Sequence, residues 1–498
     1  MNVFSPLSAI DRRQFIRSAS VAMGTLACAP KLLAAAEQGT GAFAQRGYYI
    51  TFMRMPTYGL AQWKQILDCI RADGGNLLLL WVGGGFRSKK FPITWKFNEE
   101  HENVRHDFGR KLIAEAHRKG IKVLLGFTPF GYDGVNRYSL EHPELKARKK
   151  DGQPTDKFGI YSWGWNLCPS QAESQRFMRE YVREMIFEFY PEADGLLIES
   201  SDYAICDCVD CRGKFFDREF EFVEAISQDV WAKNREATVV VYPHYFSGAK
   251  VPGFDATAAT RPFDPRWTLF FTPHSAHLDA KLIREARASL WSDDSPALRD
   301  PAAIQRNAQR ARQAGVTGYV PSLEAFTYVP THAEEGQPYL VGKRQVPLGF
   351  GWLKPDEMPY RELPMRVNRV AYREFSREPE LPFDEFKRRL GRAVFGSGST
   401  TQAVEDLLEI QRCFFHGRSW CQPSPITSPA RVRAMQERGE LNAARIADYR
   451  AALARIREIL ARHRTATNPG ARELGRIAGW VDRQWTGPNA ALLAAANR

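Results

Sequence analysis

The stretch Asn76-Leu77-Leu78-Leu79-Leu80-Trp81-Val82 is apolar at every position after its first residue. A strand with one face in water alternates apolar and polar side chains, whereas a parallel strand covered by helices on both faces is apolar throughout. The run therefore predicts a strand inside a parallel sheet. A helix over residues 61–72 is predicted before it, since apolar residues recur there at helical spacing: Trp63, Ile66, Leu67 and Ile70.

The same alternation of short apolar runs and helical segments continues along the chain. The other predicted strands cover residues 48–53, 122–127, 195–199, 238–242, 268–271, 289–291 and 318–321. The other predicted helices between strands cover residues 108–119, 171–189, 215–233 and 301–314. Eight strands alternating with helices predict an α/β fold, a (β/α)8 TIM barrel over residues 37–345. A doubly wound open sheet is the alternative, but no predicted strand is followed by the G-x-G-x-x-G motif typical of that fold.

The pattern changes near residue 345, after which the predicted segments are all helical. They cover about residues 383–395, 402–415, 429–462 and 470–484, with Ala, Leu and Ile at helical spacing between Arg and Glu. Residues 346–498 are therefore predicted to form a C-terminal α-helical domain.

Composition and charge exclude several classes of protein. The 498 residues are 44% hydrophobic and 25% charged, which is typical of a globular protein and not of a disordered or collagen-like chain. The formal charge of +12 comes mostly from Arg spread over many segments. No run of like charges marks a nucleic-acid arm, so nucleic acid is not expected as a partner.

The N-terminus carries an export pattern. Arg12 and Arg13 stand before Phe15 and Ile16, a weakly apolar stretch follows, and Ala34-Ala35-Ala36 offers a cleavage site. This resembles a twin-arginine signal peptide over residues 1–36, which implies the twin-arginine export machinery as a partner and a periplasmic or secreted protein. An amphipathic N-terminal helix is the alternative. No other stretch has the ~18 apolar residues of a transmembrane segment.

Chemistry-bearing side chains follow the predicted strands. In a parallel barrel, functional residues gather where strands end, at the carboxyl-terminal face. The residues expected at this rim are Arg54, Trp81, Thr128, Glu199, Asp202, Tyr242, His244, Tyr245, His274, His277, Trp291, Asp293, Asp294 and Glu324. Aromatic rings stack on sugars, and cleavage of a glycosidic bond needs a proton donor with a second polar or charged group. The set therefore favours carbohydrate chemistry.

Glu199 is the leading catalytic candidate, because it ends an apolar strand and is expected to reach into a partly desolvated pocket. Burial favours the protonated form of a carboxyl group and suits it to general acid catalysis. The alternative is a structural ion pair with Arg54. Asp202 is a second catalytic candidate, with loop capping as its alternative. Asp293, Asp294 or Glu324 is expected to supply the other carboxylate, although Asp294-Ser295-Pro296 also fits a turn.

The predicted substrate-binding residues are Arg54, Trp81, His244, Tyr245, His274 and Trp291. The alternative for the histidines is hydrogen bonding within the loops. A catalytic metal is not favoured, because the histidines show no compact metal-binding spacing. No cofactor is therefore expected for catalysis.

Cys206-Asp207-Cys208-Val209-Asp210-Cys211 is the most specific local pattern in the chain. Three thiols this close suit a tetrahedral zinc site if a fourth ligand arrives from elsewhere, and Cys168 is the candidate for that position. A disulfide among these residues and free thiols are the alternatives. A structural metal or a disulfide would brace the loop that carries Glu199 and Asp202.

Three segments of the sequence resemble a known group of barrel proteins. Glu199 followed by C-x-C-x-x-C, Trp63 followed by Gly75-Asn76-Leu77-Leu78, and the segment 368–396 are similar to exported bacterial barrel proteins related to α-glucuronidases and β-N-acetylglucosaminidases. The resemblance implies a glycoside hydrolase with Glu199 as general acid. The adjacent Asp-Glu pair of hexosaminidases is missing, since Ser200 and Ser201 follow Glu199. Substrate-assisted, retaining and inverting mechanisms therefore stay open, as do a non-catalytic glycan-binding protein and a metal-dependent hydrolase using His244, His274 and His277.

Overall fold

The structure is a computed structural model of the chain. It describes residues 41–50, 59–96, 99, 102–131, 134–155, 165–199, 205–242, 261–271, 280–292, 300–321, 340–341, 344–345, 358–415, 439 and 442–486. The predicted signal peptide, residues 1–36, lies outside this set.

Eight parallel strands form a closed barrel in chain order, with β1 paired to both β2 and β8. The strands are β1 Gln45–Ile50, β2 Leu77–Trp81, β3 Lys122–Phe127, β4 Gly195–Ile198, β5 Thr238–Val241, β6 Thr268–Phe271, β7 Ala288–Trp291 and β8 Gly318–Tyr319. A small antiparallel pair follows, made of β9 Leu340–Val341 and β10 Arg344–Gln345. The predicted (β/α)8 barrel is confirmed.

Helices surround the barrel and make up the C-terminal part of the described chain. Those between the barrel strands are α1 Leu60–Ala72, α2 Glu102–His106, α3 Gly109–Arg118, α4 Tyr138–Glu141, α5 Ala172–Arg183, α6 Phe215–Lys233, α7 Ala280–Glu285 and α8 Pro301–Gln313. A π-helical segment, Glu184–Phe189, continues α5, and short 3-10 turns occupy Pro92–Thr94, Val135–Arg137, Pro143–Leu145 and Gly396–Gly398. The C-terminal helices are α9 Met358–Arg377, α10 Phe383–Phe395, α11 Thr401–Phe415, α12 Ala443–His463 and α13 Pro469–Thr486.

Several described elements differ from the sequence-based expectation. The helices α2, α4 and α7 and the β9–β10 pair were not predicted. β1 begins three residues earlier than predicted, because Gln45 and Arg46 pair with β8 and so close the barrel. The helix α9 was not predicted, since Pro359 and Pro364 interrupt the helical pattern of its first two turns. Of the helix predicted over residues 429–462, the described part is α12.

Side chains along each strand alternate between the barrel interior and the surrounding helices. One contact between two aromatic rings identifies the residues that point into the interior. Tyr49 of β1 lies edge-on to Phe270 of β6, with ring centroids 5.0 Å apart. Because β1 and β6 are not neighbours, both rings point into the barrel. Tyr49 is level with Leu79, so Trp81, two residues further along β2, also points inward. Gly126 lies level with Trp81, and a Cβ on Gly126 would stand 2.5 Å from the indole Cδ1.

The first C-terminal helix, α9, packs on the outside of the barrel against β8 and β1, and its Tyr372 ring lies 5.8 Å from that of Tyr319 on β8. The Arg369 Nε of α9 donates to Asp73 Oδ2 at 2.8 Å, and the Tyr48 hydroxyl of β1 donates to the same oxygen at 2.8 Å. Gln305 of α8 donates to the Leu381 carbonyl at 2.7 Å. The buried apolar residues of barrel and helices form one continuous cluster. Among the described helices, none has the length and apolar character needed to cross a lipid bilayer.

Candidate active site

Glu199 lies at the carboxyl-terminal end of β4, at the face where barrel strands end. Its backbone N–H donates to the Phe127 carbonyl of β3 at 3.1 Å, so the residue still follows the sheet although the strand ends at Ile198. Its side chain is half-buried. The barrel thus holds this carboxylate at the mouth, in the position that the sequence predicted for a rim residue.

The Tyr49 hydroxyl donates a hydrogen bond to Oε2 of Glu199. Tyr49 is only 6% exposed, and its ring is held against Phe270. A buried phenol with a packed ring has little rotational freedom, so it orients the carboxylate that it contacts. The sequence did not single out Tyr49, because it lies in the middle of a strand and reaches Glu199 only when the barrel closes.

Strand register places two more side chains beside Glu199. Phe127 is level with Ile198, and Ile198 is level with Val241. Thr128 and Tyr242, which directly follow β3 and β5, therefore flank Glu199. The Tyr242 ring also lies 6.2 Å from that of inward-facing Phe270. Since residues level with each other in a sheet share a face, Thr128, Glu199 and Tyr242 all point toward the interior.

Thr128 has a buried hydroxyl without a hydrogen-bond partner in the part of the chain that the structure describes. The residue is 1% exposed, and its Oγ1 has no hydrogen-bond partner among the described residues. Leaving a buried hydroxyl unpaired costs about 1–3 kcal/mol, so such groups call for an explanation.

The structure places the two predicted tryptophans differently. Trp81 points into the barrel and is 2% exposed. Trp291 is level with Phe271, one residue after inward-facing Phe270, so it points outward. The guanidinium of Arg310 on α8 lies 5.7 Å from its ring centroid. Trp291 therefore packs in the helix layer and is not brought together with Glu199.

Several predicted site residues lie outside the described part of the chain, and their roles stay predictions. They are Arg54, Asp202, His244, Tyr245, His274, His277, Asp293, Asp294 and Glu324.

The four cysteines predicted to act together do converge. The sulfur atoms of Cys168, Cys206, Cys208 and Cys211 all lie within 4.8 Å of one another, and none of them forms a disulfide. Cys168 precedes α5 in the connection after β3, and the other three precede α6 in the connection after β4. Three are buried, and Cys208 is partly exposed. These four residues, the cysteine cluster, therefore lie on the two connections that follow β3 and β4 at the carboxyl-terminal face of the barrel.

Polar groups surround the cluster sulfurs. The Arg148 backbone N–H donates to Cys206 Sγ at 3.2 Å, and Ser170 Oγ lies 3.0 Å from Cys211 Sγ. The pKa of the Cys206 thiol is lowered, because side-chain hydrogen bonds from Cys168 and then Cys211 stabilise its thiolate. The pKa of the Cys168 thiol is raised by its side-chain hydrogen bonds with Cys206, the larger cause, and with Cys211. Neither Arg148 nor Ser170 was predicted, since neither belongs to the C-x-C-x-x-C pattern.

Comparison with known proteins gives a likeness in fold. No protein-family model and no curated protein matches the chain. A family GH138 enzyme targeting pectin rhamnogalacturonan II shares 13% identity, with 92% of this chain and 59% of that chain covered at a TM-score of 0.50. A mutant of the Thermobaculum terrenum O-GlcNAc hydrolase shares 10% identity over 91% of this chain and 88% of that chain, with a TM-score of 0.46.

The chitobiase of Flavobacterium johnsoniae shares 12% identity over 92% of this chain and 73% of its own, with a TM-score of 0.44. This chain spans well under two thirds of the GH138 enzyme's length. At such identities the likeness to the GH138 enzyme shows the barrel fold alone, and the two weaker likenesses add nothing to it.

Proposed function

We propose that this protein is a glycoside hydrolase that cleaves a glycosidic bond in a complex glycan, with Glu199 as the general acid. The observation that carries the proposal is the Glu199 carboxylate, held by the buried Tyr49 hydroxyl at the mouth of a closed barrel. Barrel enzymes keep their catalytic groups at this face, and glycosidases use carboxylic acids to protonate the leaving oxygen. The inward-facing Thr128 hydroxyl, which no described residue pairs with, adds a group suited to a sugar hydroxyl.

The other predicted roles complete this proposal. Asp202 orients the leaving group or polarises the substrate, and Asp293, Asp294 or Glu324 supplies the second carboxylate. The distance from that carboxylate to Glu199 decides the stereochemistry, at ~5–5.5 Å for retention and ~6.5–9.5 Å for inversion. The predicted substrate contacts that remain in the proposal are Arg54, Trp81, His244, Tyr245 and His274. The resemblance of the sequence to α-glucuronidases and β-N-acetylglucosaminidases suggests which sugars to try first.

The test compares Glu199→Gln with the wild-type protein on a panel of nitrophenyl glycosides and natural glycans. Loss of the acid is expected to reduce kcat/KM by about 10²–10⁴-fold on glycans, whose leaving groups need protonation. The loss should be smaller on dinitrophenyl glycosides, whose leaving groups depart without a proton. Glu236→Gln is the matched control, because Glu236 is exposed and precedes β5 at the opposite end of the barrel.

Three results would contradict the assignment. Full activity of Glu199→Gln on glycans would remove Glu199 from catalysis. Tight glycan binding by the wild-type protein without product would favour the non-catalytic glycan-binding alternative. Loss of turnover on chelation, with the melting temperature unchanged, would favour the metal-dependent alternative.

We also propose that the reaction uses side chains alone, without a cofactor. A set of four cysteine ligands fills every position around a tetrahedral metal ion and leaves none for water or substrate. A metal held by the cysteine cluster would therefore serve structure rather than catalysis.

We further propose that the protein acts after export by the twin-arginine pathway, on the basis of Arg12, Arg13 and the Ala34–Ala36 cleavage site. Fusion of residues 1–36 to a reporter that is active only after export tests this. The paired change Arg12→Lys and Arg13→Lys should abolish export, whereas Arg17→Lys, outside the arginine pair, should leave it intact. Export of the doubly changed fusion would contradict the proposal.

A further inference from the structure

We propose that the cysteine cluster binds one zinc ion as a tetrathiolate, and that this ion ties the connection after β3 to the connection after β4. The four ligands are Cys168, Cys206, Cys208 and Cys211. The proposal stands independently of the glycosidase assignment, because it concerns sulfur geometry and not the reaction.

The spacing of the sulfur atoms fits one metal ion. Zinc–sulfur bonds of about 2.3 Å in a tetrahedron place the sulfurs about 3.8 Å apart. Cys168 Sγ lies 3.8 Å from Cys208 Sγ and 3.5 Å from Cys211 Sγ. All six separations stay within 4.8 Å, so the four atoms surround a common centre. A disulfide would instead draw one pair of sulfurs to about 2 Å and leave the other two outside it.

The backbone around the cluster is folded to present sulfur atoms to that centre. The N–H groups of Cys211 and Arg212 both donate to the Cys208 carbonyl, at 3.1 and 2.9 Å. This turn brings Cys208 and Cys211 to the same side of the chain. Cys168 is held in place by its own N–H, which donates to the Leu145 carbonyl at 2.8 Å.

The surroundings also suit the charge of a metal thiolate. Each thiol loses its proton to water when the metal binds, and four thiolates outweigh the charge of one zinc ion. The Arg148 N–H on Cys206 Sγ and the Ser170 hydroxyl beside Cys211 Sγ can share this negative charge. The Asp207 N–H donates in return to the Arg148 carbonyl at 2.7 Å, which joins the two connections next to the cluster. Sulfur-only ligation in a tetrahedron favours zinc over hard cations such as magnesium or calcium.

The test begins with the wild-type protein, purified without chelators. Elemental analysis should find one zinc per chain, and replacement by Co²⁺ should produce the visible bands and the thiolate charge-transfer absorption of a tetrahedral cobalt–sulfur site. Removal of zinc should lower the melting temperature, because a ligand that binds only the folded state stabilises it. These readouts do not depend on any variant folding.

The double variant Cys206→Ser, Cys211→Ser should lose the zinc, whereas Cys413→Ser should retain it. Cys413 is an equally buried cysteine that lies on α11, outside the cluster. Three results would overturn the proposal: a wild-type protein that neither contains zinc nor binds added zinc, a disulfide among the four cysteines in the native protein, or iron in place of zinc. Zinc retained in full by the double variant would equally exclude these ligands.

A consequence for Glu199 rests on the proposed function. Cys206 follows Glu199 by seven residues, so a zinc-fixed connection would restrict where that carboxylate can move. Zinc removal should then lower kcat more than it raises KM, in parallel with the zinc lost. Unchanged activity after zinc loss would exclude this coupling but would not contradict the metal site. Failure of the zinc measurements would contradict the metal site but would not affect the Glu199→Gln test.

Discussion

The Tyr49 hydroxyl on β1 donates its hydrogen bond to the carboxylate of Glu199, which follows β4, across two intervening strands of the barrel. The Tyr49 ring is buried and lies edge-on to Phe270 of β6. The hydrogen bond therefore links β1 to the residue after β4, while β6 holds the tyrosine ring in place. A closed barrel permits this arrangement because side chains from opposite strands converge in its interior.

Tyr49→Phe is expected to reduce kcat/KM by about 10–100-fold. Glu199 becomes a carboxylate as it gives up its proton, and a hydrogen bond to a charged group is worth about 1.5–3 kcal/mol. The phenylalanine keeps the ring contact with Phe270, so the free energy of unfolding should change little. Steady-state kinetics with urea unfolding measure both effects. Tyr138→Phe is the control, since it removes a hydrogen bond to Glu173 in the first turn of α5. Equal activity of Tyr49→Phe and wild type would separate Tyr49 from the reaction.

Thr128→Val is expected to raise KM severalfold without destabilising the fold. The buried Thr128 hydroxyl has no protein partner in the described structure, so replacing it by a methyl group removes no internal hydrogen bond. The free energy of unfolding should stay the same or increase. Calorimetry measures the loss of glycan affinity, and urea unfolding measures the free energy of unfolding. A destabilised variant with normal KM would show that the hydroxyl serves the fold.

Arg369→Met is expected to lower the free energy of unfolding by about 3 kcal/mol, because it leaves the carboxylate of Asp73 without its cation. Both side chains are largely buried, at 12% and 10% exposure. Burial, and then the charge of Asp73, also raise the pKa of Tyr48 well above its usual value, so Tyr48 stays a neutral donor. Urea unfolding measures the loss. Arg412→Met, which affects an arginine side chain that is 71% exposed, should cost less than about 1 kcal/mol.

Asp406→Asn is expected to make the free energy of unfolding less dependent on pH in the acid range. Burial disfavours the Asp406 carboxylate, but hydrogen bonds from Arg462 and His463 outweigh it, so the pKa of this carboxyl lies below its usual 3.8. A lowered pKa means that the contribution to stability is complete above the unfolded pKa and is lost as the pH falls through the folded pKa.

At about pH 7 the variant should be less stable by about 2 kcal/mol, and the gap should narrow as the pH falls below 3.8 and through the lowered pKa of the Asp406 carboxyl. Thermal unfolding over a pH series measures this. Asp384→Asn is the control, because the Asp384 side chain is 92% exposed. A gap that stays constant across the pH series would exclude the ionised carboxylate as the cause.

Most of the barrel was predictable from local sequence. The bounds of β3 and β6 agree with their apolar runs, because strands covered on both faces differ sharply from the polar turns beside them. The start of β1 was not predictable, since Gln45 and Arg46 are polar and become strand only by pairing with β8. The helix α9 was not predicted, because Pro359 and Pro364 disfavour a helix in the local sequence. Tertiary packing overrides this local preference.

The sequence by itself determined the alternation of strands and helices, the position of Glu199 after the fourth strand, and the grouping of Cys206, Cys208 and Cys211. Each of these depends on residues that are close together in the chain. Only the tertiary structure decided that Tyr49 contacts Glu199, that Cys168 joins the other cysteines, and that Trp291 faces the helices rather than the barrel interior. Those relationships depend on strand register and barrel closure. Register and closure arise from pairing between strands that are far apart in the chain, so no short stretch of sequence encodes them.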